Sequence, residues 1–508
     1  MMSEEAKMDQ KKKEGDGLKK TVAFMAGLSL YQLPYLAMAA AKYSLARFQI
    51  PMSLLSLYIS RMIVLFRVLS LIGIALLTLY SQCKGPYQRQ MTAGFFIAFS
   101  LCFVFLFLIY CTGGEQGHLT LYYWGLGAAS FLLGAAFTTI VDIVTENVVF
   151  LLLSLPLTGV FVSIFHLTFI FFWELFGLSN INYWLVVCQL IIAICITSIH
   201  ALLYTITYWS EDAQGEGSGT GSSSSSSSSN TTGAQGQDGA TQEDGFMTAL
   251  GKAWSPILLI SLGYGIHNAF YPGIAPYKLT DVKTAYNIDL VVLFTSALAP
   301  LSILILKDKK MGPDVQWIKG NSIWHASWIF FLIEMTCATI FICGLHSPGA
   351  AISRAVKSSP AILGLMTVTY DLCAQLTRSI GTNGADMQSY EKRSNSAMNT
   401  LNSFSYGFTQ VIFASMGDGY LKTYSKYEHD RSKWPTQHFG ILRSFWFWYW
   451  TATKVSFKAI GGSFCLDVRG AIQTKKEVLF IVYSDEVDNS NKPPKAENPT
   501  VMKIVYDI

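Results

Sequence analysis

The chain has 508 residues, of which 51% are hydrophobic and only 14% charged. Soluble domains carry about 25% charged residues, so a surface that faces water on all sides is excluded. The formal charge of +4 is mild and points to no nucleic-acid partner; basic residues beside apolar runs serve to orient a chain in a lipid bilayer.

The first twenty residues, MMSEEAKMDQKKKEGDGLKK, mix both signs and read as a cytoplasmic tail (1–20). The apolar run that follows is longer than a signal-peptide core and lacks a small-residue cleavage pattern, so the first helix is expected to be retained. Apolar runs of about 20 residues lie near 21–41, 53–80, 91–111, 119–141, 148–173 and 183–207, defining a first bundle over 21–207. A Gly/Ser-rich segment within 208–251 cannot bury a core and reads as a disordered cytoplasmic linker. Five more runs, near 253–275, 288–306, 322–345, 359–380 and 396–416, form a second bundle over 252–422. The expected fold is therefore an all-α polytopic membrane protein of about eleven transmembrane helices, in a 6+5 arrangement of two major-facilitator-like bundles. Within 423–508, the stretch FGILRSFWFWYWTATKVSFKAIGGSF interleaves aromatics with Arg443, Lys454 and Lys458. It suits the headgroup region better than the hydrocarbon centre, which leaves open an interfacial helix or a twelfth span; the rest is expected to be a disordered tail.

Orientation follows from the cations. Lys11, Lys12, Lys13, Lys19, Lys20, Lys84, Arg89, Lys252, Lys307, Lys309, Lys310, Lys319, Lys392 and Arg393 fall on one side, against Lys42, Arg47, Lys278, Lys283, Arg354 and Lys357 on the other. The excess places the N-terminus and the serine-rich linker in the cytoplasm, where the sequon at Asn230 stays without glycan. Of nine cysteines, Cys102, Cys188, Cys195, Cys337, Cys343 and Cys373 lie in or beside apolar runs and read as small buried hydrophobes. There is no CxxC pair, and no metal or other cofactor is implied.

Ionisable residues inside a span are costly and point to function. Glu334 sits mid-span and is expected either to serve as a substrate or proton site or to stay a neutral packing residue. Asp371 and Arg378 are seven residues apart, on nearly one helix face, too distant for direct contact but able to line one polar stripe. Arg61 is expected to snorkel from near a span end, Arg67 lies deeper, and Asp142 and Glu146 mark the end of span four. Pro34, Pro156 and Pro272 interrupt apolar segments, and the pairing of Pro34 in the first helix with Pro272 in the seventh suits a site between two half-repeats. GFMTALGKA has one residue too many for a P-loop and ends without the required hydroxyl. Asp371 and Asp418 on adjacent spans suit a shared-proton dyad like that of presenilin-type proteases, but SMGD replaces that family's Gly-x-Gly-Asp and its Pro-Ala-Leu element is absent.

Pro34-Tyr35-Leu36 with Tyr43 and Arg47, LPLTGVFVSIF at 155–165, HNAFYPGIAPY, and Asn383-Gly384 in GTNGADMQ together resemble the equilibrative nucleoside transporters. That resemblance implies six spans, a cytoplasmic loop and five spans, with facilitative transport of nucleosides or nucleobases by alternating access. It also implies a small polar solute as ligand; together with the ionisable residues above, the expected binding residues are Pro34, Tyr35, Pro272, Glu334, Asp371, Arg378 and Asn383. The family's span-eight Asp with a Gly-Arg pair is reduced here to Asp289, and Leu36 stands in place of an asparagine. The whole chain also resembles the multi-pass Tpr-related proteins of piroplasm parasites, which implies the alternative of a non-transporting membrane protein with a structural or interaction role.

Overall fold

A computed structural model describes residues 4–82, 88–114, 116–144, 147–216, 246–388, 396–428, 434–464 and 469. These form α1 (Glu4–Ala39), α2 (Ala41–Arg47), α3 (Leu55–Gln82), α4 (Gln88–Cys111), α5 (Leu119–Ile143), α6 (Val148–Leu175) and α7 (Ile181–Glu216) in the first half. The second half contains α8 (Phe246–Phe270), α9 (Val282–Thr295), α10 (Leu298–Asp308), α11 (Trp328–His346), α12 (Ala351–Ser358), α13 (Pro360–Met387), α14 (Ser396–Tyr427) and α15 (Ile441–Ser463). Nine segments among the described residues are long and apolar enough to cross a membrane, and they match the first nine runs read from the sequence. The tenth and eleventh are α13 and α14, which are long but more polar. Asp371, Gln375 and Arg378 on α13, and Asn402, Gln410 and Asp418 on α14, are buried against neighbouring helices rather than lipid. The protein is an all-α, multi-pass membrane protein.

Several boundaries differ from the sequence reading. α1 begins at Glu4, inside the expected tail, and helix continues to Glu216 and resumes at Phe246. Helix therefore occupies both ends of the expected 208–251 linker, because the Gly/Ser-rich composition starts only at its interior; 217–245 lie outside the described residues, as does most of the expected C-terminal tail. Cys195 is exposed rather than buried, facing outward beside Ile191, Ile192 and Ile199 where lipid would lie. The side chains of Asp142 and Glu146 lie outside the described residues.

Side-chain contacts fix helix directions. On α3 and α5, Ser130 Oγ donates to the Phe66 carbonyl at 2.8 Å and Gly134 abuts Ser70, so the two run parallel. α1 and α6 are also parallel, pairing Gly27 with Ser154 and Tyr35 with Gly159. α8 and α13 are antiparallel, pairing Gly263 with Thr377 and Pro256 with Gly384. Glycine at these crossings admits the facing helix where a side chain would hold it off, the usual device when lipid offers no hydrophobic drive for helix association. α15 runs antiparallel along α14: Ser456 Oγ donates to the Ser415 carbonyl at 2.7 Å, and the Tyr420 and Tyr427 rings lie 6.0 and 6.1 Å from that of Trp448. A helix lying in the headgroup plane would cross α14 at one turn only. α15 instead follows α14 from Tyr427 to Ser415.

Candidate functional site

Three segments carry stripes at helical spacing, two at i, i+3, i+4 and i+7 and the third at i, i+4 and i+7, which places their side chains on one face. They are Tyr31, Pro34, Tyr35 and Met38 on α1; Tyr264, His267, Asn268 and the following Tyr271; and Asp371, Gln375 and Arg378 on α13. All of these line one central cavity, together with Arg67 and Ser70 of α3, Ser130 of α5, Pro156 of α6 and Leu293 of α9. The space inside it open to water centres is about 100 Å³, room for several waters. Both halves of the chain contribute walls.

The cavity's electrostatics rest on few groups. Arg378 spreads its guanidinium over the rings of Tyr264 and Tyr31, 4.8 and 5.4 Å from their centroids, and its Nη1 donates to the Tyr264 hydroxyl at 3.4 Å. Arg67 Nη2 donates to Asn268 Oδ1 at 3.0 Å, bridging the two halves. Asp371 Oδ1 accepts from Gln375 Nε2 at 3.2 Å and lies 3.5 Å from His267 Nε2. The His267 ring is stacked between Tyr264 and Tyr370, with centroids at 5.8 and 5.4 Å. Three buried polar atoms of the wall have no hydrogen-bond partner: Asp371 Oδ2, Asn268 Nδ2 and His267 Nδ1. Unmet groups in a low-dielectric wall are expensive unless water or a solute meets them.

The lining has a direction. A smaller pocket of about 20 Å³ shares Pro156, Gln375 and Arg378 with the central cavity and continues past Val149, Lys307 and Asn383. The start of α6 and the ends of α10 and α13 lie at the end of the bundle where α7 leads to the linker. The opposite end is closed by contacts between the halves. Ser56 Oγ donates to the Gly273 carbonyl at 2.9 Å and Ser163 Oγ to the Leu290 carbonyl at 2.7 Å. His166 is wholly buried, with Nδ1 2.7 Å from the Tyr286 hydroxyl and Nε2 2.9 Å from Gln189 Oε1. The Tyr43 ring stands edge-on to Tyr286 at 5.6 Å.

Of the residues selected from sequence, Pro34, Tyr35, Pro272, Asp371 and Arg378 meet in the central cavity. Asn383 lines the smaller pocket instead, with its Nδ2 donating to the Ser379 carbonyl at 2.8 Å. Glu334 lines neither; it is wholly buried on α11, and neither carboxylate oxygen has a hydrogen-bond partner among the described residues. Pro272 does not kink a helix. Proline lacks the N–H that continues a helix and disfavours helical geometry before it, so α8 ends at Phe270 and Pro272 sits in the turn beyond. The helix-interior proline of α8 is Pro256. Arg61 is buried rather than snorkelling, in the field of Asp418. Asp418 is held by Lys422 Nζ at 2.5 Å and does not line the cavity that holds Asp371, so the two are not assembled as a dyad there. Tyr31, Tyr264, His267, Asn268 and Gln375 escaped the sequence reading, although the repeated i, i+3/i+4, i+7 spacing in YQLPYLAM, YGIHNAFY and DLCAQLTR signals them. Gly159 of the resemblance has a clear role: a Cβ there would lie 3.0 Å from the Tyr35 ring and 3.1 Å from the Leu293 carbonyl.

No family model matches the chain, and no curated protein matches it. Among solved structures it is similar to a bacterial homologue of the human lysosomal transporter Spinster in an inward-facing, unoccupied conformation, at 12% identity and a TM-score of 0.44 over 88% of this chain and 94% of that one. It is also similar to the nucleoside transporter NupG, at 12% identity and a TM-score of 0.41 over 88% of this chain and 98% of that one.

Proposed function

We propose that the protein is a facilitative solute carrier of the nucleoside or nucleobase type, working by alternating access around the central cavity, with Pro34, Tyr35, Pro272, Asp371 and Arg378 among its binding residues and Asn383 on the path to it. The observation that carries this reading is the cavity itself: polar and aromatic, walled by both halves, joined to a pocket at the linker end and closed at the other. Tyrosine faces suit a planar base, while the carboxylate and amides of Asp371, Gln375 and Asn268 suit ribose hydroxyls and base edges. In this reading the two bundles, 21–207 and 252–422, rock about the midplane.

The test is uptake of labelled adenosine and uracil into cells lacking their own carriers. Uptake above background that saturates, and that falls about tenfold or more in Asp371→Asn, is the expected result. Background-level entry at every pH tried, with the protein present in the membrane, defeats the reading for nucleosides and nucleobases.

A further inference from the structure

We propose that the central cavity selects solutes carrying a negatively charged oxygen group, a carboxylate or phosphate attached to a base-like ring, a substrate class that deepens the carrier reading above and rests on it. Arg67 comes from α3 in the first half and Arg378 from α13 in the second, and both line the same cavity. Arg378 is only 7% exposed. Neither guanidinium forms an ion pair with a carboxylate among the described residues: the ion pairs found there join Asp16 with Lys20, Lys278 with Glu428, Lys307 with Asp314, and Asp418 with Lys422, and Asp371 lies 3.5 Å from the imidazole of His267. Their partners are instead neutral, Asn268 for Arg67 and two tyrosine rings for Arg378.

The charge balance decides the sign. Among the described residues the cavity wall itself holds two guanidinium groups and a single carboxylate, Asp371, engaged on one oxygen by Gln375 with His267 at 3.5 Å; a second carboxylate, Asp289, stands behind the wall and accepts from the Tyr271 hydroxyl. Cation–π contacts offset part of the desolvation of Arg378 but do not cancel its charge. A buried arginine without a counter-charge is costly in a membrane. Its planar fork matches a carboxylate or phosphate oxygen pair, which a neutral sugar does not supply. Two such forks, one from each half, would both reach a bound anion and draw the halves together around it. Aromatic faces on Tyr31, Tyr35 and Tyr264 remain for the ring.

The experiment compares matched pairs on the purified full-length chain by calorimetry: uracil against orotate, which adds a carboxylate, and uridine against uridine 5′-monophosphate, which adds a phosphate. At least one anionic member should bind on the order of tenfold more tightly than its neutral partner, and the gap should shrink as salt rises. Arg67→Gln and Arg378→Gln should each remove most of that gap, with Arg67→Lys and Arg378→Lys intermediate. Equal affinity within both pairs, no binding of any of the four, or a gap that survives both glutamine variants overturns the inference. The wild-type comparison decides by itself where a variant fails to fold. Neutral nucleoside uptake without anion preference defeats this inference and leaves the carrier reading standing; anion binding without nucleoside uptake does the reverse.

Discussion

Gly134→Ala tests the packing that positions Arg67. An ideal Cβ at Gly134 would lie 2.1 Å from the Ser70 carbonyl oxygen and 2.8 Å from both Ser70 Cα and its carbonyl carbon. These are backbone atoms of α3, and contacts below 3.0 Å essentially do not occur, so the two helices must part by nearly an ångström. The Ser130 Oγ bond to the Phe66 carbonyl, one turn away at 2.8 Å, resists that parting. Overpacking of this kind costs up to about 3 kcal/mol. Replacing glycine by alanine inside a helix returns about 1 kcal/mol, leaving a net loss of about 2 kcal/mol. Gly94→Ala is the control. It lies inside α4 with nothing within 4 Å of the new Cβ, and should stabilise by about 0.5–1 kcal/mol. Thermal unfolding of both purified variants measures the contrast. Equal stability would refute the close α3–α5 approach, and with it the placement of Arg67 and Ser130 on one cavity wall.

Lys422→Met leaves the wholly buried Asp418 without its close counter-ion, with an expected loss of about 3 kcal/mol; Asp418→Asn combined with Lys422→Met should recover most of it in the same unfolding assay. Tyr286→Phe removes the hydroxyl that meets His166 Nδ1, a loss of about 1–2 kcal/mol. It should also loosen the closed end, read as faster thiol labelling of a cysteine placed at Leu290. If α15 crosses the membrane beside α14, reporter tags before residue 1 and after residue 508 should fall on the same side. Tags on opposite sides would return α15 to the interface.

How far the sequence reached is best seen on α8 and α13. Its apolar runs located both helices, and the expense of charge in lipid singled out Asp371 and Arg378 from one chain. Pro272 was found for a sound reason and given the wrong local role: a proline in an apolar run looks like a kink, and only the end of α8 at Phe270 shows that it follows a helix. Glu334 carried the strongest single-residue signal, yet it is buried on α11 and lines neither pocket. Hydropathy cannot assign a face to a mid-span residue whose helix is apolar all round.

Composition and the 20-residue period of apolar runs, then, determined by themselves that this is a helical membrane protein, where its long helices lie and which ionisable residues fall inside them. Local rules suffice for that, because each helix must satisfy its own backbone hydrogen bonds before it meets any neighbour. The tertiary structure alone decided which of those charges share a space. Arg67 and Asn268 are 201 residues apart in sequence and 3.0 Å apart in space; the rotation of each helix is set by glycine crossings such as Gly134 on Ser70 and Gly159 on Tyr35, which depend on both partners at once.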